Sequence, residues 1–166
     1  MSNLLHKDLE EARILHNNIE TLRWLSDISV VSPEQQLNWF KGLEKSETSK
    51  RWVVREKKNN YLVSVIRIDQ IDKINNSLLI GLDVHNDYRR IGIATEIYNE
   101  LIPYLFHNYK LNRLSLVTIS TNLAAVALYK SLGFLQEGIL RKAFYRDNTY
   151  VDGVIFALIK EDIEIN

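Results

Sequence analysis

Apolar positions along the chain change their period near residue 50. Before that point Leu9, Ala12, Ile14-Leu15 and Ile19 follow a roughly helical spacing. Asp8 precedes them as an N-cap, with Glu11 at the capping-box position. Leu4-Leu5 predicts a short first strand. Residues 19–31 are less regular, although they include Arg23-Trp24-Leu25. Ser32-Pro33-Glu34-Gln35 then marks a helix start, with Ser as N-cap, Pro at the first helical position and Gln three on. Leu37, Phe40 and Leu43 line one face of that helix, with Trp39 nearby.

From Arg51 the pattern becomes that of strands. Trp52-Val53-Val54 and Tyr61 to Ile68 are rich in β-branched and aromatic residues, with Lys57-Lys58-Asn59-Asn60 as the turn between them. Asp69 to Asn76 is a second polar connection, and Leu79 to Val84 a third strand, completing an antiparallel meander. Ile97, Leu101 and Leu105 then form one stripe of a helix from Gly92 to about Tyr109. Pro103 within it should bend or break it. Arg113 to Ile119 predicts a buried strand, and Asn122 to Leu132 a helix stopped by Gly133. The chain ends in a hairpin, Ile139 to Tyr145 and Tyr150 to Leu158, turning at Asp147-Asn148. This order predicts an α+β fold: one mixed, mostly antiparallel sheet with helices on its faces, in a single domain over residues 1–166.

Charge narrows the partners. Lys+Arg and Asp+Glu both total 21, so no broad basic surface for nucleic acid is expected. With no cysteine, disulfides, a cysteine nucleophile and Cys-based zinc sites are ruled out. His6, His16, His85 and His107 lack metal-ligand spacing, so no metal is expected. The N-terminus has no signal-peptide core and no apolar run would span a bilayer, which gives a cytoplasmic expectation without membrane association.

Arg89-Arg90-Ile91-Gly92-Ile93-Ala94 lies between a predicted strand and a predicted helix. Glycine lets a backbone approach a ligand, and the first helical N–H groups have no partner within the helix. The helix dipole adds positive character there. The segment is therefore a phosphate cradle in form. It has neither the G-x-G-x-x-G nor the G-x-x-x-x-G-K-[ST] spacing.

Arg89, Gly92 and Ala94 match the (Arg/Gln)-x-x-Gly-x-(Gly/Ala) loop of the GCN5-related N-acetyltransferases, known as GNAT enzymes. Asn122, Ala125, Leu128-Tyr129 and Gly133-Phe134 match the family's N-x-x-A-x-x-L-Y-x-x-x-G-F element downstream. From about Arg51 onward the chain resembles this family. The resemblance implies that the strands before and after the Gly92 helix run parallel and splay into a V, which holds the pantetheine arm of acetyl-CoA. It implies pyrophosphate contacts from the backbone of Arg90, Ile91, Gly92, Ile93, Ala94 and Thr95, with charge from Arg89 and Arg90. It also implies a main-chain N–H within Leu82 to Val84, Val84 foremost, polarising the acetyl carbonyl.

Acetyl transfer to an amine needs a deprotonated, positioned nucleophile, a donor for the oxyanion and a proton for the leaving thiolate. Asn122 is an N-cap by type, and the resemblance adds a contact to the pantetheine or pyrophosphate. Tyr129 lies two helical turns beyond Asn122, on the same face. The family places this hydroxyl near the sulfur as general acid, and a phenol of pKa about 10 is protonated at neutral pH. Two candidates stand for the base or amine contact. Asp83 falls on the strand face opposite Ile80, Leu82 and Val84, where it is either a substrate contact or an exposed ion-pair partner. His85, with an ordinary pKa near 6.5, is either a base or a loop residue.

The acceptor is less legible. Trp24, Ser32 to Gln35 and Trp39-Phe40, with Glu137 to Arg141 and Tyr145 to Asp152, are similar to segments of two GNAT branches. One acetylates nucleotide-linked amino sugars, the other polyamines and ribosomal proteins. Residues 1–50 carry little acidic excess, while Arg141, Lys142, Phe144, Tyr145 and Arg146 form a group suited to a nucleotide, or to guarding an edge strand. The expected acceptor is therefore the amine of a small molecule, foremost a nucleotide-linked amino sugar. The alternatives are a polyamine or protein N-terminal amine, or a non-catalytic acyl-CoA sensor. A homodimer is the expected assembly by resemblance.

Overall fold

The computed structural model describes residues 1–164. Its elements are β1 (Ser2–Asn3), α1 (Leu9–Asn17), α2 (Ile19–Leu22), α3 (Pro33–Leu43), β2 (Lys50–Arg55), β3 (Leu62–Asp72) and β4 (Ser77–Val84). They continue with α4 (Ile93–Asn108), β5 (Arg113–Ile119), α5 (Leu123–Ser131), β6 (Leu135–Arg146), β7 (Thr149–Ile159) and α6 (Lys160–Glu164). The strands form one sheet in the order β1-β2-β3-β4-β5-β7-β6. All neighbours are antiparallel except β4 and β5. This is the α+β fold the sequence predicts.

Strand alternation builds two cores. On one face Ile66, Ile68, Leu78, Ile80, Leu114 and Leu116 pack with Ile97, Tyr98, Leu101 and Leu105 of α4 and Tyr129 of α5. On the other, Val53 and Val65 pack with Leu4, Leu9, Ala12 and Leu15, and with Phe40 of α3. Trp52 and Val53 enter opposite cores, as adjacent strand residues must.

Local signals succeed where partners are close in sequence. Ser32 Oγ accepts the Gln35 N–H at 3.2 Å and the Gln35 side chain accepts the Ser32 N–H at 2.8 Å, closing the predicted box. Asp147 and Asn148 both have positive φ, at +47° and +60°, the geometry of a two-residue hairpin turn that matches strand twist. Other expectations are corrected. The first strand is Ser2–Asn3, and Leu4 is instead a buried core residue. Asp8 sits at the α1 N-cap but makes no cap bond. Its carboxylate turns back to accept the Leu5 N–H at 2.8 Å and Arg55 Nη2 at 2.7 Å, while Glu11 also pairs with Arg55. β3 runs on to Asp72, where the sequence predicted a loop from Asp69. α4 continues through Pro103 because its apolar stripe is buried on both sides of that residue, at Leu101, Ile102 and Leu105.

The parallel pair is where the sheet opens. β4 and β5 pair over only three residues, Ser77–Leu79 with Arg113–Ser115. Beyond them the strands share no ladder, although β4 runs to Val84 and β5 to Ile119. Just past β4 the His85 N–H donates to the Val63 carbonyl at 2.8 Å, which sets the alternation. Gly81 and Asp83 bond towards β3, so the main-chain groups of Leu82 and Val84 point into the opening.

Candidate active site

A cleft of about 560 Å³ occupies this opening and passes through the sheet. On the α4 face it is lined by Gly92 to Thr95, Asn122, Leu128 and Tyr129. On the α1–α3 face it is lined by Arg67, Asp83, Phe144 and the segment from Glu20 to Ser26 that includes α2.

At the α4 end, Gly92 is the N-cap with φ +87°, a left-handed conformation that favours glycine. A Cβ placed there would meet nothing within 4 Å, so the space in front of the helix is open. The first bond of the helix is Glu96 N–H to the Gly92 carbonyl, 3.0 Å. The N–H groups of Ile93, Ala94 and Thr95 precede it and have no intrahelical partner. This is the unsatisfied positive end that a phosphate requires.

The two arginines of the loop divide. Arg90 lines the cleft, exposed, at φ +62°. Arg89 also borders it, but its guanidinium is spent on protein. Nε donates to the Val84 carbonyl at 2.9 Å, Nη1 to the Glu20 carbonyl at 2.9 Å and Nη2 to Thr21 Oγ1 at 2.7 Å. Arg89 therefore ties α2 to the end of β4: its donors are spent on neutral protein groups rather than on a phosphate, and only its charge is left to the cleft it borders. Ile91 is two-thirds exposed and its side chain lies away from the cleft lining.

Asn122 caps α5, its Oδ1 accepting the Ala125 N–H at 3.2 Å, and also faces the cleft. Tyr129 is buried among aromatic rings, with Tyr98, Phe134 and Phe156 centroids at 5.8, 5.9 and 5.9 Å. Burial pushes the Tyr129 hydroxyl above its ordinary pKa, opposed by the nearby Tyr98 hydroxyl and the Arg67 charge. Tyr98 is raised further, chiefly because it is wholly buried. Its hydroxyl is close enough to Tyr129 to affect its titration, yet makes no hydrogen bond of normal geometry.

Asp83 lines the cleft and shares a face with Val65, its register partner, on the α1–α3 side. It is not a free carboxylate: Arg67 Nη2 lies 3.1 Å from its Oδ1. His85 stays outside the lining. Its Nδ1 is 3.7 Å from Asp87 Oδ2 and its ring meets Tyr88 edge-on, so the loop holds it rather than the cleft. Of the residues read as acceptor determinants, Trp24 and Phe144 line the cleft, whereas Phe40 is core and Trp39 lies under Arg51. Arg146 donates to the carbonyls of Arg23 at 3.2 Å and of Leu25, and Arg141 and Lys142 border a separate shallow groove. The basic group on the hairpin therefore does not converge on the cleft. No three His, Cys, Asp or Glu side chains among the described residues come together as a metal would need.

A family model described as the acetyltransferase (GNAT) family matches residues 16–134, which span the cleft from α2 to Phe134. This chain belongs to the GNAT family. It is 31% identical over 124 residues to the SPbeta prophage-derived uncharacterized N-acetyltransferase YokL of Bacillus subtilis (strain 168), covering 75% of this chain and 68% of YokL. It is 27% identical over 103 residues to spermidine N(1)-acetyltransferase of Vibrio cholerae, covering 62% of this chain and 59% of that enzyme. The fold matches a structure of Vibrio cholerae spermidine N-acetyltransferase with CoA and spermine at TM-score 0.92 and 21% identity, over 99% of this chain and 96% of that one. The chain is thus a GNAT N-acetyltransferase, and the V between β4 and β5 is the V the sequence resemblance implied.

Sequence reasoning missed Arg67, Gly81 and Tyr98. Two had a signal. A lone arginine inside the apolar run Leu62 to Ile68 needs a buried partner, and a lone glycine inside a strand marks a close approach. That approach is the Arg67 guanidinium: a Cβ on Gly81 would sit 2.7 Å from Nη2.

Proposed function

We propose that this enzyme uses acetyl-CoA to acetylate a primary amine of a small molecule. One observation carries the proposal: a single cleft joins the unpartnered first turn of α4 to Tyr129 and Asp83 through the gap between β4 and β5. Acetyl-CoA, when bound, supplies an activated thioester carbonyl. The N–H groups of Ile93, Ala94 and Thr95 and the exposed Arg90 suit its pyrophosphate. The main-chain groups of Leu82 suit its amide-bearing arm, and the Val84 N–H, whose own carbonyl is held by Arg89, suits the developing charge on the acetyl oxygen. Tyr129, held protonated by burial, donates to the departing sulfur. Asp83, on the opposite face, receives the amine as its ammonium and orients it towards the thioester; one proton leaves the ammonium to solvent before attack, and the second, released as the amide forms, makes good the proton that Tyr129 gives to the thiolate.

A nucleotide-linked amino sugar loses its main support once Arg146 is bound to the α2 segment. A polyamine acceptor gains support from the spermidine-acetylating relative. The test is thiol release from acetyl-CoA across amino sugars, polyamines, amino acids and peptides. A chain without cysteine adds no thiol signal of its own. Turnover on a primary amine is expected. Tight acetyl-CoA binding with no turnover on any amine would overturn the proposal.

A further inference from the structure

The acceptor half of the cleft holds three carboxylates, and each already has an arginine. Asp83 pairs with Arg67 at 3.1 Å, Asp69 with Arg51 at 2.9 Å, and Glu20 with Arg23 at 3.7 Å. A polycation entering here would meet carboxylates that already face arginines, tightly at Asp69 and Asp83 and loosely at the exposed Glu20. Arg67 is the converse case. It crosses the floor of the cleft over Gly81 with about one third of its side chain open, and it opens into the cleft. Its Nε is buried without a hydrogen bond, and Asp83 is the only partner of its Nη groups among the described residues. The Asp83 charge strengthens its hold on its proton, so it stays cationic. An arginine has five donors in a planar fork suited to carboxylate or phosphate oxygens. Most of that capacity is unspent.

We propose that Arg67 is a specificity-determining residue that binds an anionic oxygen group on the acceptor, next to the amine held by Asp83. The acceptor class is then a zwitterionic primary amine, such as an α-amino acid or an amine bearing a phosphate, rather than a bare polyamine. The inference rests on the acetyltransferase assignment of this cleft. Arg67 and Asp83 form a dipole of adjacent opposite charges, and a zwitterion supplies the matching pair in reverse order. Both protein charges keep a partner when it binds, so neither is stranded.

The test uses matched acceptors with the intact enzyme: α-amino acids, their carboxamides, their decarboxylated amines, phosphoethanolamine beside ethanolamine, and spermidine. The expected wild-type preference is roughly 100-fold in kcat/KM for the anionic member of a pair, since a site with a buried donor rejects an analogue that leaves it unpaired. The carboxylate and phosphate arms tell the two oxyanion sources apart. Arg67→Gln should erase that preference and raise activity on decarboxylated amines relative to wild type, because Asp83 becomes free to take a cation. Arg67→Lys should recover only part of it, having lost the fork. Acetyl-CoA affinity, measured by calorimetry, should not move in either variant. Equal or better turnover of spermidine or of decarboxylated amines by wild type would overturn the inference and leave the acetyltransferase assignment standing. Silence on every amine would overturn both.

Discussion

Gly81→Ala gives a graded test of the cleft floor. The added methyl would lie 2.7 Å from Arg67 Nη2 and 2.9 Å from Cζ, where ordinary contact begins near 3.4 Å. What it meets is the end of a flexible side chain, and Gly81 has no left-handed φ, so β4 accepts alanine and the guanidinium gives way. A retreat of roughly 1 Å lengthens the 3.1 Å contact with Asp83. At an effective dielectric near 20 the attraction falls from about 5 to about 4 kcal/mol, and solvent in the cleft screens part of that. The same retreat moves Arg67 away from the anionic group of an acceptor by a similar distance, and a loss of about 1 kcal/mol in that contact corresponds to roughly fivefold in rate. The expected result is a fall of about five- to tenfold in kcat/KM for the acceptor, with acetyl-CoA affinity unchanged and a small change in melting temperature. Steady-state kinetics with both substrates varied, alongside calorimetry, reads all three. An unchanged acceptor kcat/KM would refute the placement of Arg67 at the acceptor. A lost acetyl-CoA affinity would refute the division of the cleft into two halves.

Tyr129→Phe should lower kcat about 100-fold or more while KM moves little, since it removes a proton donor and keeps the ring among Tyr98, Phe134 and Phe156; steady-state kinetics decides. Gly92→Ala meets no neighbouring atom but must hold φ +87°, so it should cost about 1 kcal/mol of stability and weaken acetyl-CoA binding several-fold by calorimetry. Asp8→Ala removes a wholly buried carboxylate from Arg55 and the Leu5 N–H and should cost about 2–3 kcal/mol, or roughly 5–10 °C in Tm, by thermal unfolding. Tyr98 and Tyr129 keep their protons in the folded state to higher pH than the unfolded value of about 10. Stability from both is present below that pH and is lost as pH rises through their folded values; urea titrations from pH 8 to 11 should show the fall, and Tyr98→Phe should flatten it.

What the sequence made legible was whatever is decided by near neighbours. The turn into α4, the Asn122 cap, the Ser32 box and the Asp147-Asn148 turn each depend on residues within a few positions, and each stands in the structure. The side chains that left their expected roles were claimed by distant ones. Arg89 is bound by Glu20 and Thr21, nearly 70 residues away, and Arg146 by Arg23 and Leu25, more than 120 away. Asp8 is drawn from its cap by Arg55 across 47 residues. Arg67 and Gly81 acquire meaning only from the β3–β4 register that sets them opposite one another. No spacing rule carries that information before the pairing is known.

The same displacement explains how the acceptor side is built. The segment from Glu20 to Ser26 has one turn of α2 and a short run of turn bonds to hold it. Arg89 reaches it from the loop between β4 and α4 and Arg146 from the hairpin, and both bind its main-chain carbonyls. A guanidinium binding carbonyls fixes the backbone without depending on which side chains that backbone carries. Trp24 can therefore vary in this wall while its position is kept by residues outside it, whereas Thr21, whose Oγ1 accepts from Arg89, belongs to the clamp. Arginines that look like ligand contacts in the sequence serve as clamps, and ligand recognition passes to Arg67, which the sequence hides inside a strand. Replacing either clamp should therefore disturb acceptor KM while leaving the first turn of α4, and with it the phosphate end of the cleft, as it is.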